Sequence, residues 1–288
     1  EDASCFEIKV SGLVGGHSGM DIDKGRGNAN KLINRVLGAI RKSVAIQLIS
    51  IDGGSLRNAI PREATAVIAV NHDYEGQVDV EFNAISIVLK KELSALETEL
   101  EISFKPTVNQ THCAASADTT KIIDAIYAVH NGVFRMSPDI ADLVETSSSL
   151  ARIIMKDGEF VSQSLQRSSV ESTKDDVANT IRATFELMGA TVIQTGDYPG
   201  WEPNPKSAIL DIMSDLYKKK FNENPKIKAC HAGLECGILS KHLPKVDMIS
   251  FGPNIRAAHS PDEKVQISSV QKFWGYLVDV LKEIPSKN

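Results

Sequence analysis

Aromatic side chains are scarce in this 288-residue sequence: nine Phe, five Tyr and two Trp, Trp201 and Trp274. No basic cluster is interleaved with them and the formal net charge is −5, which excludes nucleic-acid binding as the main activity. Long apolar runs are missing too. None approaches the roughly 20 residues that cross a bilayer, and the opening EDASCFEIKV lacks the charged-then-apolar layout of a signal peptide. A soluble, cytoplasmic chain without membrane contact is therefore expected. Four cysteines, Cys5, Cys113, Cys230 and Cys236, are too few and too scattered for a disulfide framework. Cys230, His231, Cys236 and His242 lie near one another in sequence, but without a Cys-x2-Cys pair they do not read as a structural zinc site. The chain opens on Glu1 and enters a strand pattern almost at once, the expectation being a piece of something longer.

What is present is a series of short, well-punctuated elements. Phe6, Ile8 and Val10 alternate with polar neighbours as in a half-buried strand. Apolar positions 32, 33, 36, 37 and 40 have helical spacing. Residues 44–51 and 64–71 read as strands, 84–96 as a helix and 100–104 as a short strand. The result is an α+β layer with helices on one face of an antiparallel sheet. After Pro106 the pattern repeats more loosely. A helix at 122–129, strands at 148–155 and 160–166 around the hairpin turn Lys156-Asp157-Gly158-Glu159, a helix at 174–188 and a strand at 191–194 read as a second half-sheet continuing the first. The segment GDYPGWEPNPKS, rich in proline and glycine, marks a boundary, giving a first domain over 1–198 and a second over 199–288. In the second, an amphipathic helix ending in Lys218-Lys219-Lys220, strands at 227–229 and 246–251, a short helix at 235–241 and a last helix at 265–284 read as part of an α/β domain.

Three stretches carry candidate chemistry. GLVGGHSGMDIDKGRGNANKL is a glycine-rich loop between a strand and a helix, with His17 at its middle. It has neither Gly-Lys-Ser/Thr nor Gly-x-Gly-x-x-Gly, so a nucleotide site is not expected. Asn58 lies in the connection DGGSLRNAIPRE, where an Asn ordinarily bonds its own loop backbone. FGPNIRAAHSPDE leads through Gly252, Pro253 and Asn254 to His259, which is well placed to reach a cleft, although a lone His before Ser-Pro is more often a turn residue than a ligand.

Six segments in order, GLVGGHSGMDIDKGRGNANKL, GGSLRNAIP, SLQRSSVES, YPGWEPNP, HAGLECGIL and GPNIRAAHSPDE, resemble the aminoacyl-histidine dipeptidases, a group of di-zinc metallopeptidases related to carnosinases, aminoacylases and glutamate carboxypeptidases. The resemblance implies an α+β lid domain, doubled, inserted into an α/β zinc-peptidase catalytic domain of which this chain holds only the C-terminal part. It implies metal-dependent hydrolysis of carnosine-like Xaa-His dipeptides in a homodimer. Two zinc ions per site are implied, with manganese or cobalt as substitutes. Residue by residue, it makes His259 a metal ligand, His17 a catalytic group that steadies the oxyanion in the partner subunit's site, and Asn58 a substrate contact. Glu235 would hold the substrate's amino terminus, with His231 and Arg256 as further substrate contacts. The family's His-x-Asp and Glu-Glu motifs do not occur in this sequence, so the chain alone is expected to be inactive. The alternatives are a non-catalytic dimerising or ligand-binding module and a related di-zinc peptidase or amidohydrolase acting on another substrate.

Overall fold

The structure is a computed structural model, and it describes residues 3–110, 112–197, 199–204, 206–229, 231, 235–256 and 263–284. The chain divides into two compact units. One comprises Glu1–Gly200 with Cys230–Ala232, the other Trp201–Ala229 with Gly233–Asn288.

The first unit runs β1 (Ala3–Ser11), β2 (Gly16–His17), α1 (Ala29–Arg41), β3 (Ile46–Gly53), β4 (Ala59–Ile60), β5 (Ala64–Asn71), α2 (Glu75–Leu93), β6 (Glu101–Thr107), α3 (Ser116–Ala128), β7 (Gly132–Met136), β8 (Val144–Lys156), β9 (Glu159–Ser168) and α4 (Glu171–Leu187). Seven of these strands form one antiparallel sheet in the order β6-β1-β5-β3-β8-β7, with β9 also on β8. The two half-sheets expected from the sequence are thus a single sheet, joined where Ile51–Gly53 of β3 pairs with Ile153–Met155 of β8.

Alternation decides which face is covered. Phe6, Ile8 and Val10 of β1 are buried while Glu7, Lys9 and Ser11 are half-exposed, so one face is apolar. Residues of α1 to α4 share a single continuous core with that face, including Ile33 and Leu37, Phe82 and Leu89, Ile123 and Ile126, Val177 and Phe185. Helix α1 starts where it does because the Asn28 side chain accepts from Asn30 N–H (3.0 Å) and Lys31 N–H (3.3 Å), satisfying two amides that have no partner within the helix. The hairpin between β8 and β9 turns on Asp157 (φ 53°) and Gly158 (φ 80°), the two left-handed residues of a type I′ turn.

The second unit contains α5 (Ala208–Phe221), α6 (Glu235–His242), the two-residue strands β10 (Ile255–Arg256) and β11 (Lys264–Val265), and α7 (Ile267–Glu283). Helices α5 and α7 meet around Met213, Tyr276 and Val280, where the Tyr276 hydroxyl donates to the Met213 carbonyl (2.5 Å).

Three expected strands are corrected. Residues 191–194, 227–229 and 246–251 are irregular, and Ile193, Ile227 and Val246 are exposed. An apolar run becomes a strand only when a neighbouring strand takes its N–H and C=O groups, and among the described residues no strand pairs with any of these three. Among its described residues the second unit therefore shows helices and one short ladder, not a formed α/β sheet. Cys5, Cys113 and Cys236 are free thiols, and no helix among the described residues is long and apolar enough to cross a membrane.

Candidate functional site

The loop between β1 and α1 is fastened from several directions. Glu97, buried, accepts from Val14 N–H (2.7 Å) with one oxygen and from Gly27 N–H (2.8 Å) with the other. Arg62 Nε donates to the Leu13 carbonyl (3.0 Å), and Arg26 donates to that of Gly15 (2.5 Å). Gly12 (φ 78°) could not carry a side chain, because a Cβ there would overlap the Glu99 carbonyl.

His17 sits at the centre of this fastened loop. Its strand β2 pairs with β4, and Ser18 N–H donates to the Asn58 carbonyl (2.8 Å). The ladder therefore brings His17 and Asn58 together, as two loops that a sequence reading can only place separately. The ring's Nδ1 accepts from both Gly19 N–H (3.1 Å) and Met20 N–H (3.0 Å). With Nδ1 occupied as an acceptor, the proton of the neutral imidazole resides on Nε2, making that atom the ring's donor. The loop is further braced by Asp21, which accepts from His17 N–H (2.8 Å) and pairs with Lys24 and Arg26. Burial works to raise the Asp21 pKa, but Lys24, the His17 amide and Arg26 together hold it below its ordinary value.

A second histidine shares this environment. His231, in the short segment that belongs to the first unit, is buried, and its Nε2 lies 2.8 Å from Ser147 Oγ on β8. Burial above all, with Arg167 and His17 adding to it and Asp23 opposing, pushes the His231 pKa down to about 4, so the ring is neutral near pH 7. Ser147 is paired across the sheet with Arg167 of β9. The backbone of Gly19 runs between Arg167 and His17: a Cβ on it would lie 3.0 Å from Arg167 Cδ and 3.2 Å from His17 Cε1. One imidazole donor, one guanidinium and one neutral buried imidazole thus converge within a single unit. Such a group can donate to an oxygen that gains negative charge and can attract a carboxylate.

Of the residues singled out from the sequence, His17, Asn58 and His231 come together in the first unit. Glu235, the exposed first residue of α6, and Arg256, exposed in β10, belong to the second. His259 lies outside the described residues. Arg167 and Ser147 were missed. Arg167 falls inside the motif SLQRSSVES, but only the β8–β9 register shows that it flanks the His17 loop. Among the described residues, no group of three or more His, Cys, Asp and Glu side chains could hold a metal ion. The described residues thus do not by themselves make a zinc site, and no chemical step is assigned through a metal.

Residues 8–97, within the first unit, match the family described as Peptidase dimerisation domain. The whole chain is similar to the Cytosol non-specific dipeptidase of Escherichia coli (strain K12), 39% identical over 98% of this chain and 58% of the relative. It is also similar to the crystal structure of aminoacylhistidine dipeptidase from Vibrio alginolyticus, with a TM-score of 0.91 and 39% identity, covering all of this chain and 59% of that one. The resemblance to the aminoacyl-histidine dipeptidases read from the motifs therefore stands in both sequence and fold. The chain spans a little under three-fifths of the length of these relatives.

Proposed function

We propose that this chain is the lid and the C-terminal catalytic portion of a longer, cytoplasmic, homodimeric metallo-dipeptidase acting on Xaa-His dipeptides. The observation that carries this reading is the fixed tautomer of His17. Two backbone amides on Nδ1 leave Nε2–H as the donor, and a donor held in place by the fold is what stabilises the oxyanion formed when a peptide carbonyl is attacked. Arg167 supplies a cation suited to the dipeptide's terminal carboxylate, and Asn58 a polar contact to its backbone. His231, kept neutral by burial, supports the same cluster through Ser147 without adding a competing charge. The names of the two relatives and the dimerisation-domain match support the substrate class and the dimer. The cytoplasmic location is inferred from the relative named as cytosolic.

Glu235 is assigned to the substrate's amino terminus, and Arg256 is a second candidate for its carboxylate. The cofactor in this reading is zinc, two ions per site, with His259 as this chain's ligand and manganese or cobalt as substitutes. Bound zinc would polarise the scissile carbonyl and activate water. Its remaining ligands and the general base would come from outside this chain.

The test is turnover of β-alanyl-histidine, other Xaa-His dipeptides and dipeptides lacking histidine, by this chain and by the same chain with its natural preceding sequence, before and after chelation. The extended form should hydrolyse the Xaa-His substrates and stop when the metal is removed, and the 288-residue chain alone should be inactive. An extended form that neither hydrolyses dipeptides nor holds zinc would overturn the reading in favour of a non-catalytic dimerising module.

A further inference from the structure

Helix α2 is apolar on two sides. Val78, Phe82 and Leu89 are buried in the core, whereas Val80, Ile87 and Val88 are 61%, 69% and 51% exposed, and Ala84 is exposed among them. At about 100° per residue these four fall within roughly 60° of the direction of Ala84, nearly opposite the core face. A surface helix normally turns polar residues that way. An apolar stripe there calls for a partner of its own.

The surroundings identify that partner as a second copy of this chain. Helix α2 lies within the segment that matches a peptidase dimerisation domain. The opposite flank of that segment is already occupied from within: the edge of β3 is paired with β8, and α1 packs against α3. On the flank of α2, strand β6 has only β1 as a partner among the described residues. Lys105 and Pro106 blunt it against strand addition, which leaves the helix as the contact. The stripe is also self-complementary. A twofold axis through Ala84 sets Val80 against the other copy's Val88 in an antiparallel pair. The two antiparallel helix dipoles then oppose each other favourably.

We propose that α2 pairs antiparallel with α2 of a second copy about an axis near Ala84, and that this contact holds the dimer together. The proposal rests on the dimeric reading given under Proposed function and adds the surface that forms it. Its test is the molar mass of the 288-residue chain by light scattering after gel filtration. The unaltered chain should have the mass of two copies. Ile87→Asp should reduce this to one copy with circular dichroism and melting temperature unchanged, while Trp274→Asp, at an exposed apolar position on α7, should leave two. In a Cys113→Ser background, Ala84→Cys should give a disulfide-linked dimer on mild oxidation that the Cys113→Ser parent does not. A dimer that survives Ile87→Asp and does not cross-link through position 84 overturns the α2 contact and leaves the dimeric reading intact. A wild-type chain that stays monomeric up to its solubility limit overturns both, and leaves the dipeptidase reading to its own assay.

Discussion

The two units differ in what their strands depend on. In the first, every strand of the seven-stranded sheet finds its neighbours within the chain, and one continuous core lies between that sheet and four helices. In the second, two helices share a core of three buried residues, and the apolar segment 246–251, which has the composition of a strand, stays irregular. The contrast shows that apolar composition establishes only a readiness to form a strand. The hydrogen-bonding partner decides whether one forms.

The largest effect that separates the two units is expected from their cores. Leu48 is fully buried on β3, so Leu48→Ala should destabilise the first unit by about 2–5 kcal/mol in chemical denaturation. Met213→Ala should cost the second unit less, because a small core at a helix pair can close around the gap. Equal costs would break the comparison.

Acid should act on the first unit through His231. Its pKa lies near 4 in the fold against 6.5 when unfolded. Above about pH 6.5 the ring is neutral in both states. As pH falls from there towards 4, the unfolded chain takes up the proton first, so stability present at neutral pH is progressively lost, on the order of 3 kcal/mol across that window. His231→Gln, which keeps a partner for Ser147, should flatten this slope. A slope unchanged by the substitution would place the acid sensitivity elsewhere.

The smallest effect, and the one that sharpens the comparison most, concerns backbone amides. In hydrogen exchange, those of Leu48 and Ile51 on β3 should exchange only on global unfolding of the first unit, while those of 248–251 should exchange almost as fast as in an unfolded peptide. Adding the natural preceding sequence should protect 248–251 if that sequence supplies the missing neighbour. Protection of these amides in the 288-residue chain itself would contradict the account.

Much of the first unit was legible in the sequence for the same reason. The hairpin at Asp157-Gly158 and the alternation of Phe6, Ile8 and Val10 are local signals, and both are where the chain pattern put them. Strand β7 was not read, nor were residues 144–147 of β8, where Glu145, Thr146 and Ser147 are polar yet buried. The hydroxyls of Thr146 and Ser147 are held by long-range bonds, to Ser168 (2.8 Å) and His231 (2.8 Å), which no local window reveals. The site was half legible on similar grounds. The glycine-rich loop points to His17, but that Arg167 and His231 stand beside it depends on strand register and on a segment more than 200 residues away along the chain.

The central claim is that this loop holds His17 as an Nε2–H donor for dipeptide hydrolysis. The most direct test is the steady-state kinetics of His17→Gln and His17→Ala in the chain with its natural preceding sequence, with β-alanyl-histidine as substrate. The account predicts that kcat falls by about 10²–10³ for His17→Ala, with a smaller change in KM and no loss of folding stability, and that His17→Gln, which keeps an N–H donor, retains part of the rate. A kcat unaffected by His17→Ala in an enzyme that does hydrolyse the dipeptide would contradict it.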